Sequence, residues 1–344
     1  MQQPIIELKN VTRSFTRGGG LLGGTPQRID VLRNINLTIK PGEITCLVGE
    51  SGCGKTTTGK IIAGLLPPSM GEVIYQGQNL SQLDKRAFSS YRKTVQLVHQ
   101  DPYAALNPTQ TIYAILSGPM FRHKLVKNKR EALRSVSELL ETVDLTPVED
   151  FIGKHPHQLS GGQRQRVVVA RSLILEPRLI VADEPVSMLD VSIRLSVVGL
   201  LRRLQAETQV AFLFITHDLA MAKYFGTGGN LAVMYLGEIV EFGPAETVIG
   251  EPKHPYTQAL LRALPEPDPE LTRAKEPVAL RSLDIPDLAA LPSGCTFHPR
   301  CPNYMQGICD GDVPGLVSQP DGRRVACYLY ADGRGDTETR KDLA

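Results

Sequence analysis

The sequence predicts an α/β protein: an open, mixed sheet with a helical subdomain inserted between two of its strands, followed by a small C-terminal extension. Three observations carry that prediction. Short β-branched runs bounded by turns alternate with helical patterns along most of the chain. The alternation breaks over residues 101–160, where helical patterns run without a convincing strand. After residue 264 the composition turns rich in proline and charge, opening with Pro265, Pro267 and Pro269 and leading to a cluster of cysteines.

Taken in order, strands are expected at 5–8, 35–39, 44–48, 73–75, 95–98, 179–182, 210–215 and 231–234, each a short β-branched run between turn formers. Helices are expected at 55–63, 129–143, 162–175 and 191–207, where the pattern is helical. Residues 18–24, rich in glycine, read as a flexible loop. The chain therefore divides into a main domain over 1–264, with its helical subdomain at about 101–160, and an extension over 265–344.

At 344 residues the chain is long enough for this plan, and its 42% hydrophobic and 22% charged residues exclude disorder along the whole length. The 38 Lys+Arg against 36 Asp+Glu leave a formal charge of +2, so the overall balance does not call for nucleic acid or an anionic membrane. The apolar runs at 44–48, 167–170 and 210–215 fall far short of the about eighteen residues that cross a bilayer. The first residues, Met1 to Lys9, hold neither a basic nor an apolar signal region, so a cytosolic chain is expected. In that compartment six cysteines read as packing residues, metal ligands or redox groups rather than as disulfides.

The strongest motif is Gly49-Glu50-Ser51-Gly52-Cys53-Gly54-Lys55-Thr56-Thr57, set between the expected strand at 44–48 and the expected helix at 55–63. Such a loop lets backbone N–H groups wrap an anion at a helix N-terminus; Lys55 can reach the β- and γ-phosphates and Thr56 can ligate Mg²⁺. Cys53 inside it reads as a small tolerated side chain. Asp183 and Glu184 end the strand at 179–182, on the edge where ligands gather in open α/β sheets. Asp183 suits Mg²⁺, and Glu184 suits the orientation or deprotonation of an attacking water. Alone such a pair is often a solvated turn; downstream of a phosphate loop it gains meaning.

Further residues complete an ordered set. Leu159-Ser160-Gly161-Gly162-Gln163 opens a helix and resembles the signature motif of ATP-binding-cassette (ABC) ATPases. Gln100 resembles that family's Q-loop glutamine, Ser187-Met188-Leu189-Asp190 its D-loop, His217 its switch histidine and Phe15 the aromatic that stacks on adenine. The resemblance covers roughly residues 5–264 and implies a P-loop ABC-type nucleotide-binding domain. It also implies a head-to-tail pair of cassettes, in which ATP held by Lys55 meets Ser160, Gly161 and Gly162 of the partner. Gln100 would contact Mg²⁺ and the attacking water, and His217 would contact the γ-phosphate and hold Glu184 in position. Met188 departs from the smaller residue usual at that position.

Residues Gln100 to Pro108 and His254-Pro255-Tyr256-Thr257 resemble the ATPases of dipeptide and oligopeptide importers, and the loop at 20–24 fits the second of the two paralogous ATPases such importers carry. The resemblance implies ATP and Mg²⁺ as ligands and a paralogous ATPase as partner. It also implies two transmembrane permease subunits, an extracytoplasmic solute-binding protein acting indirectly, and a peripheral place on the cytoplasmic face of the membrane. Relatives serve nickel and oligosaccharide uptake, and a soluble cassette ATPase acting on nucleic acid or protein assemblies is the reading from another class. The single phosphate loop and the lack of a basic tract argue against the latter. His254 reads equally as a helix cap.

Cys295, Cys301, Cys309 and Cys327 follow a C-x5-C-x7-C-x17-C spacing. Four thiolates in a short tail can form a metal or cluster site, and the C-x-x-C knuckles usual for zinc are absent. The spacing resembles the extension of peptide-importer ATPases and implies a [4Fe-4S] cluster, with zinc or unligated thiols as alternatives. His298 stands as a substitute ligand or a structural residue.

Overall fold

The computed structural model describes residues 3–18, 27–264 and 278–331. Except for Gly18, the glycine-rich loop expected at 18–24 lies outside the described residues, as do Pro265, Pro267 and Pro269.

The expected strands form two sheets. Five parallel strands make one side of the larger, eight-stranded one, ending at its edge, in the order Asn230–Tyr235, Ile44–Val48, Ala211–Thr216, Leu179–Asp183, Val95–Val98. Ile44–Val48, Leu179–Asp183 and Ala211–Thr216 are buried at every position, as continuous apolar runs covered on both faces should be. Side chains alternate between two cores. Cys46, Val48, Ile180, Ala182, Phe212 and Phe214 join the core that takes in the helical segment and, from the tail, Phe297 and Cys301. Leu47, Val181, Leu213 and Ile215 face the other core with Ile6, Leu8, Ile35 and Leu37.

That second core is roofed by a separate antiparallel sheet of four strands, Gln27–Ile39, Ile6–Arg17, Met70–Tyr75 and Gln78–Asn79. The runs at 5–8, 35–39 and 73–75 had been expected in the single mixed sheet; alternation specifies which face of a strand is buried but not which strand it pairs with.

Residues 101–160 carry helices, principally Ile112–Arg122 and Lys129–Thr142, and no strand. Lys129–Thr142 buries Ala132, Val136 and Leu140 at four-residue spacing and is capped by Asn128, whose side chain accepts the Glu131 N–H. The tail is bound to the main domain: Arg324–Val325 pairs antiparallel with Glu238–Pro244, and Val317–Ser318 continues the sheet beyond it.

Candidate nucleotide site

The loops that follow the parallel strands all leave the same edge of the sheet. Ile44–Val48 delivers the phosphate loop, Val95–Val98 delivers Gln100, Leu179–Asp183 delivers Glu184, and Ala211–Thr216 delivers His217. Parallel strands thereby bring together residues far apart in the chain. A cleft of about 500 Å³ is lined by Ser51, Gly52, Gly54, Lys55, Thr56, Thr57, Gln100, Glu184 and His217, together with Val31, which the sequence reading missed.

The phosphate loop depends on glycine where backbone and neighbours leave no room. Gly54 adopts φ 107° as the N-cap of Lys55–Ile62, and a Cβ there would lie 2.5 Å from Leu32 Cδ2 and 2.9 Å from the Val31 carbonyl. Lys55 is buried, and its Nζ donates to the carbonyls of Gly49 (2.8 Å) and Glu50 (2.9 Å). Cys53 is also buried, which pushes its thiol pKa up, as suits a packing residue.

Thr56 Oγ1 donates to Asp183 Oδ1 at 3.0 Å, so the hydroxyl and carboxylate suited to Mg²⁺ face each other. Burial raises the Asp183 pKa, and the charge of Glu184 adds to that, against the Thr56 bond that lowers it. A bound cation would relieve this desolvation. Glu184 is held from two sides: Gln100 Nε2 donates to Oε2 at 3.1 Å, and His217 Nδ1 lies 3.1 Å from Oε1. Its backbone sits at φ 46°, left-handed for a residue with a side chain, and is pinned by an N–H bond to the Ile215 carbonyl at 2.9 Å.

The other expected site residues lie elsewhere. Phe15 stands on the antiparallel sheet opposite Ile29, 40% exposed, with the Arg13 guanidinium 4.8 Å from its ring. Ser160 caps Gly161–Leu173 through a reciprocal pair of bonds, its Oγ accepting the Gln163 N–H and its own N–H donating to Gln163 Oε1. Neither these residues nor Asp190, the N-cap of Val191–Thr208, lines the cleft. At the start of the signature helix Ser160 is exposed, while Gly162 is buried against Ile193. Arg194 ties the D-loop down by donating to the carbonyls of Leu189 (2.7 Å) and Ser187 (3.3 Å), and Met188 remains exposed beside it. Arg164 stacks over Tyr103 at 3.9 Å, joining the signature helix to the segment after Gln100.

His254 is buried and caps Pro255–Arg262, its Nδ1 accepting the Tyr256 N–H at 3.1 Å, so the capping alternative describes it. Burial lowers its pKa to about 3.

In the tail, Cys295 N–H donates to the Cys309 carbonyl at 2.8 Å, and a tight turn carries the chain from Cys295 through His298 to Cys301. Burial pushes the thiols of Cys295 and Cys301 up to about 11 and that of Cys327 up to about 12. The neighbouring thiols add to this, Cys301 and Cys309 acting on Cys295, and Cys295, Cys301 and Cys309 acting on Cys327. These thiols are therefore near enough for their charges to act on one another. Among the described residues, however, no three His, Cys, Asp or Glu side chains are grouped so as to hold a metal ion. His298 Nδ1 lies 3.0 Å from the Cys295 carbonyl, which favours the structural reading of that ring.

Comparison with known proteins agrees with this geometry. Residues 32–187 match the ABC transporter family, and residues 240–309 match the family described as the oligopeptide/dipeptide transporter C-terminal region. The chain is 39% identical over 331 residues to the oligopeptide transport ATP-binding protein AppF of Bacillus subtilis, covering 96% of this chain and 98% of that one. It is 42% identical over 274 residues to the oligopeptide transport ATP-binding protein OppF of Streptococcus mutans, covering 80% and 86%. Among solved structures, a dimeric ATP-binding cassette in a post-hydrolysis state with ADP and Pi superposes with a TM-score of 0.61 at 31% identity, covering 70% of this chain and 98% of that one.

Proposed function

The chain belongs to the ABC transporter family, among the ATPases of oligopeptide importers, and on that premise we propose how its residues divide the work of ATP-driven peptide uptake. The phosphate loop, residues Gly49 to Thr57, binds the triphosphate through backbone N–H groups, with Lys55 countering its charge. Thr56, Asp183 and Gln100 would hold Mg²⁺, which when bound screens the phosphates. Glu184 accepts the proton of the attacking water or orients it, and His217 and Gln100 fix the carboxylate that does so.

The observation that carries this reading is the Glu184 carboxylate fixed between Gln100 and His217, at the mouth of the same cleft that Lys55 and Thr56 line. Ser160, Gly161, Gly162, Gln163 and Asp190 complete the site of a partner cassette, and their position away from this cleft supports that assignment. The partner is the paralogous ATPase, with this chain as the second of the pair, and Phe15 stacks on adenine. Residues 1–264 form the ATPase domain and 265–344 the extension. Among the described residues no helix is long and apolar enough to cross a membrane. As an importer ATPase the chain drives uptake by docking on two permease subunits from the cytoplasmic face.

Cys295, Cys301, Cys309 and Cys327 would hold a [4Fe-4S] cluster. Support comes from the donor set, four cysteines within one tail, with the Cys295 N–H bonded to the Cys309 carbonyl. The C-x5-C-x7-C-x17-C spacing, without the C-x-x-C knuckles usual for zinc, supports the cluster over a single zinc ion.

The test is reconstitution of the complete transporter in liposomes, with ATP-dependent uptake of labelled di- and oligopeptides as readout. Uptake that requires ATP and vanishes with Lys55→Ala is expected. Uptake of nickel or an oligosaccharide with none of peptide would overturn the substrate assignment.

A further inference from the structure

Glu50 places a carboxylate inside the loop that must receive a triphosphate, and each of its polar groups has a partner. Its carbonyl accepts Lys55 Nζ at 2.9 Å, and its N–H donates to the Tyr256 hydroxyl at 3.0 Å. The carboxylate is met by Arg300, whose Nη1 lies 3.2 Å from both oxygens across 250 positions of sequence. Arg300 comes from the cysteine tail, immediately before Cys301. Its side chain is 8% exposed and that of Glu50 26%, so water screens the pair weakly.

Arg300 is also held from behind. Its guanidinium carbon lies 5.6 Å from the Phe297 ring and 5.8 Å from that of Tyr235, and Nη1 reaches the Tyr235 hydroxyl at 3.4 Å. Those rings pack with Tyr256, 4.6 Å from Tyr235 and 5.5 Å from Phe297, so one aromatic cluster supports both contacts to Glu50. The backbone is fixed within the cysteine turn by the Arg300 N–H to the Phe297 carbonyl (3.0 Å) and by the Arg281 N–H to the Arg300 carbonyl (3.1 Å).

We propose that Arg300 is a positioning residue for ATP binding, which neutralises and holds the Glu50 carboxylate so that the charge of Lys55 meets the triphosphate unopposed. The tail is thereby part of the nucleotide site, and whatever loosens the cysteine turn weakens ATP binding. This rests on the assignment of the cleft to ATP. An unpaired carboxylate in that loop repels the incoming phosphates through a medium less polar than water. Gln at the same place keeps a hydrogen-bond acceptor without the charge.

The test is the dissociation constant for a fluorescent ATP analogue on the purified full-length chain, with thermal unfolding of the nucleotide-free protein beside it. Arg300→Gln should weaken binding about tenfold, Arg300→Lys less, and Glu50→Gln alone should bind more tightly than wild type. In the double variant, Glu50→Gln should restore most of what Arg300→Gln loses, which a purely structural loss would not do. In the assembled transporter the defect should fall on KM for ATP more than on kcat. Wild-type affinity in Arg300→Gln, or a double variant as weak as Arg300→Gln, would overturn the link. Weakened binding by Glu50→Gln alone would do so even if the Arg300 variants failed to fold. A wild-type chain that bound no ATP would instead sink the cleft assignment beneath it.

Discussion

Replacing Glu184 by Gln separates the two things this residue does. The wild-type carboxylate accepts from Gln100 on Oε2 and meets His217 Nδ1 on Oε1, both at 3.1 Å. Gln is isosteric: its oxygen can still accept from Gln100, while its NH₂ can donate to His217 in the tautomer whose Nδ1 is unprotonated. The backbone bond to Ile215 does not involve the side chain. What the resting protein loses is the charge assistance of two bonds, each exchanged for a neutral one, a difference of about 2 kcal/mol in all. What the reaction loses is the base, worth roughly 10²- to 10⁴-fold in rate, or about 3–5 kcal/mol of barrier. The larger number falls on kcat and the smaller on the apo fold. The assay is phosphate release by the assembled transporter at saturating ATP, paired with ATP affinity of the variant chain. Turnover should fall by at least about 10²-fold with ATP affinity not weakened. Hydrolysis at the wild-type rate would refute the role given to Glu184. A loss of affinity equal to the loss of turnover would make the residue a structural support instead.

Ser160→Arg in every copy of this chain should depress ATP hydrolysis by the assembled transporter while leaving ATP binding by the separate chain intact, because Ser160 lies outside the cleft that its own Lys55 lines. Equal hydrolysis by the variant and wild-type assemblies would argue against a shared site. Protein purified without oxygen should contain iron and sulfide and absorb near 400 nm, about as iron–sulfur thiolates do; Cys301→Ser should lose both, and stoichiometric zinc without iron would reverse the cluster assignment. Because burial lowers the His254 pKa to about 3, the unfolded chain binds a proton below about pH 6.5 that the folded chain refuses until about pH 3. Stability should therefore fall by about 1.4 kcal/mol per pH unit as pH drops through that window. Glu241 beside it, its pKa raised by burial, shifts stability the opposite way. His254→Asn keeps a cap for the Tyr256 N–H, removes the titration, and should flatten the melting-temperature profile between pH 6.5 and 5; an unchanged profile would show that the histidine is not its source.

The parallel core was legible because its inner strands are buried on both faces. Ile44–Val48 coincides with its apolar run, and the chemistry of Glu184 and His217 could be read from the loops that follow such strands. Elements stabilised mainly by partners were not. Arg324–Val325 and Val317–Ser318 are two residues each, too short for any alternation to register; the first exists because Glu238–Pro244 offers it an edge, and the second because the first does. Val31 lines the cleft from the roofing sheet, where nothing in its local sequence distinguishes it from a core valine.

The tail shows the same divide within one segment. Its cysteines announce themselves, because thiols at that density in a chain expected to lie in a reducing compartment call for an explanation. Arg300 does not announce itself, since one arginine between a proline and a cysteine is ordinary in a charged tail. Its meaning appears only when folding lays it against Glu50, which in sequence is merely a variable position of the phosphate loop. Either residue alone would be a liability: a carboxylate in the phosphate loop beside the cleft, and a nearly buried guanidinium. Paired, each supplies the charge the other requires, so the ATPase sequence and the tail sequence are legible as one site only together.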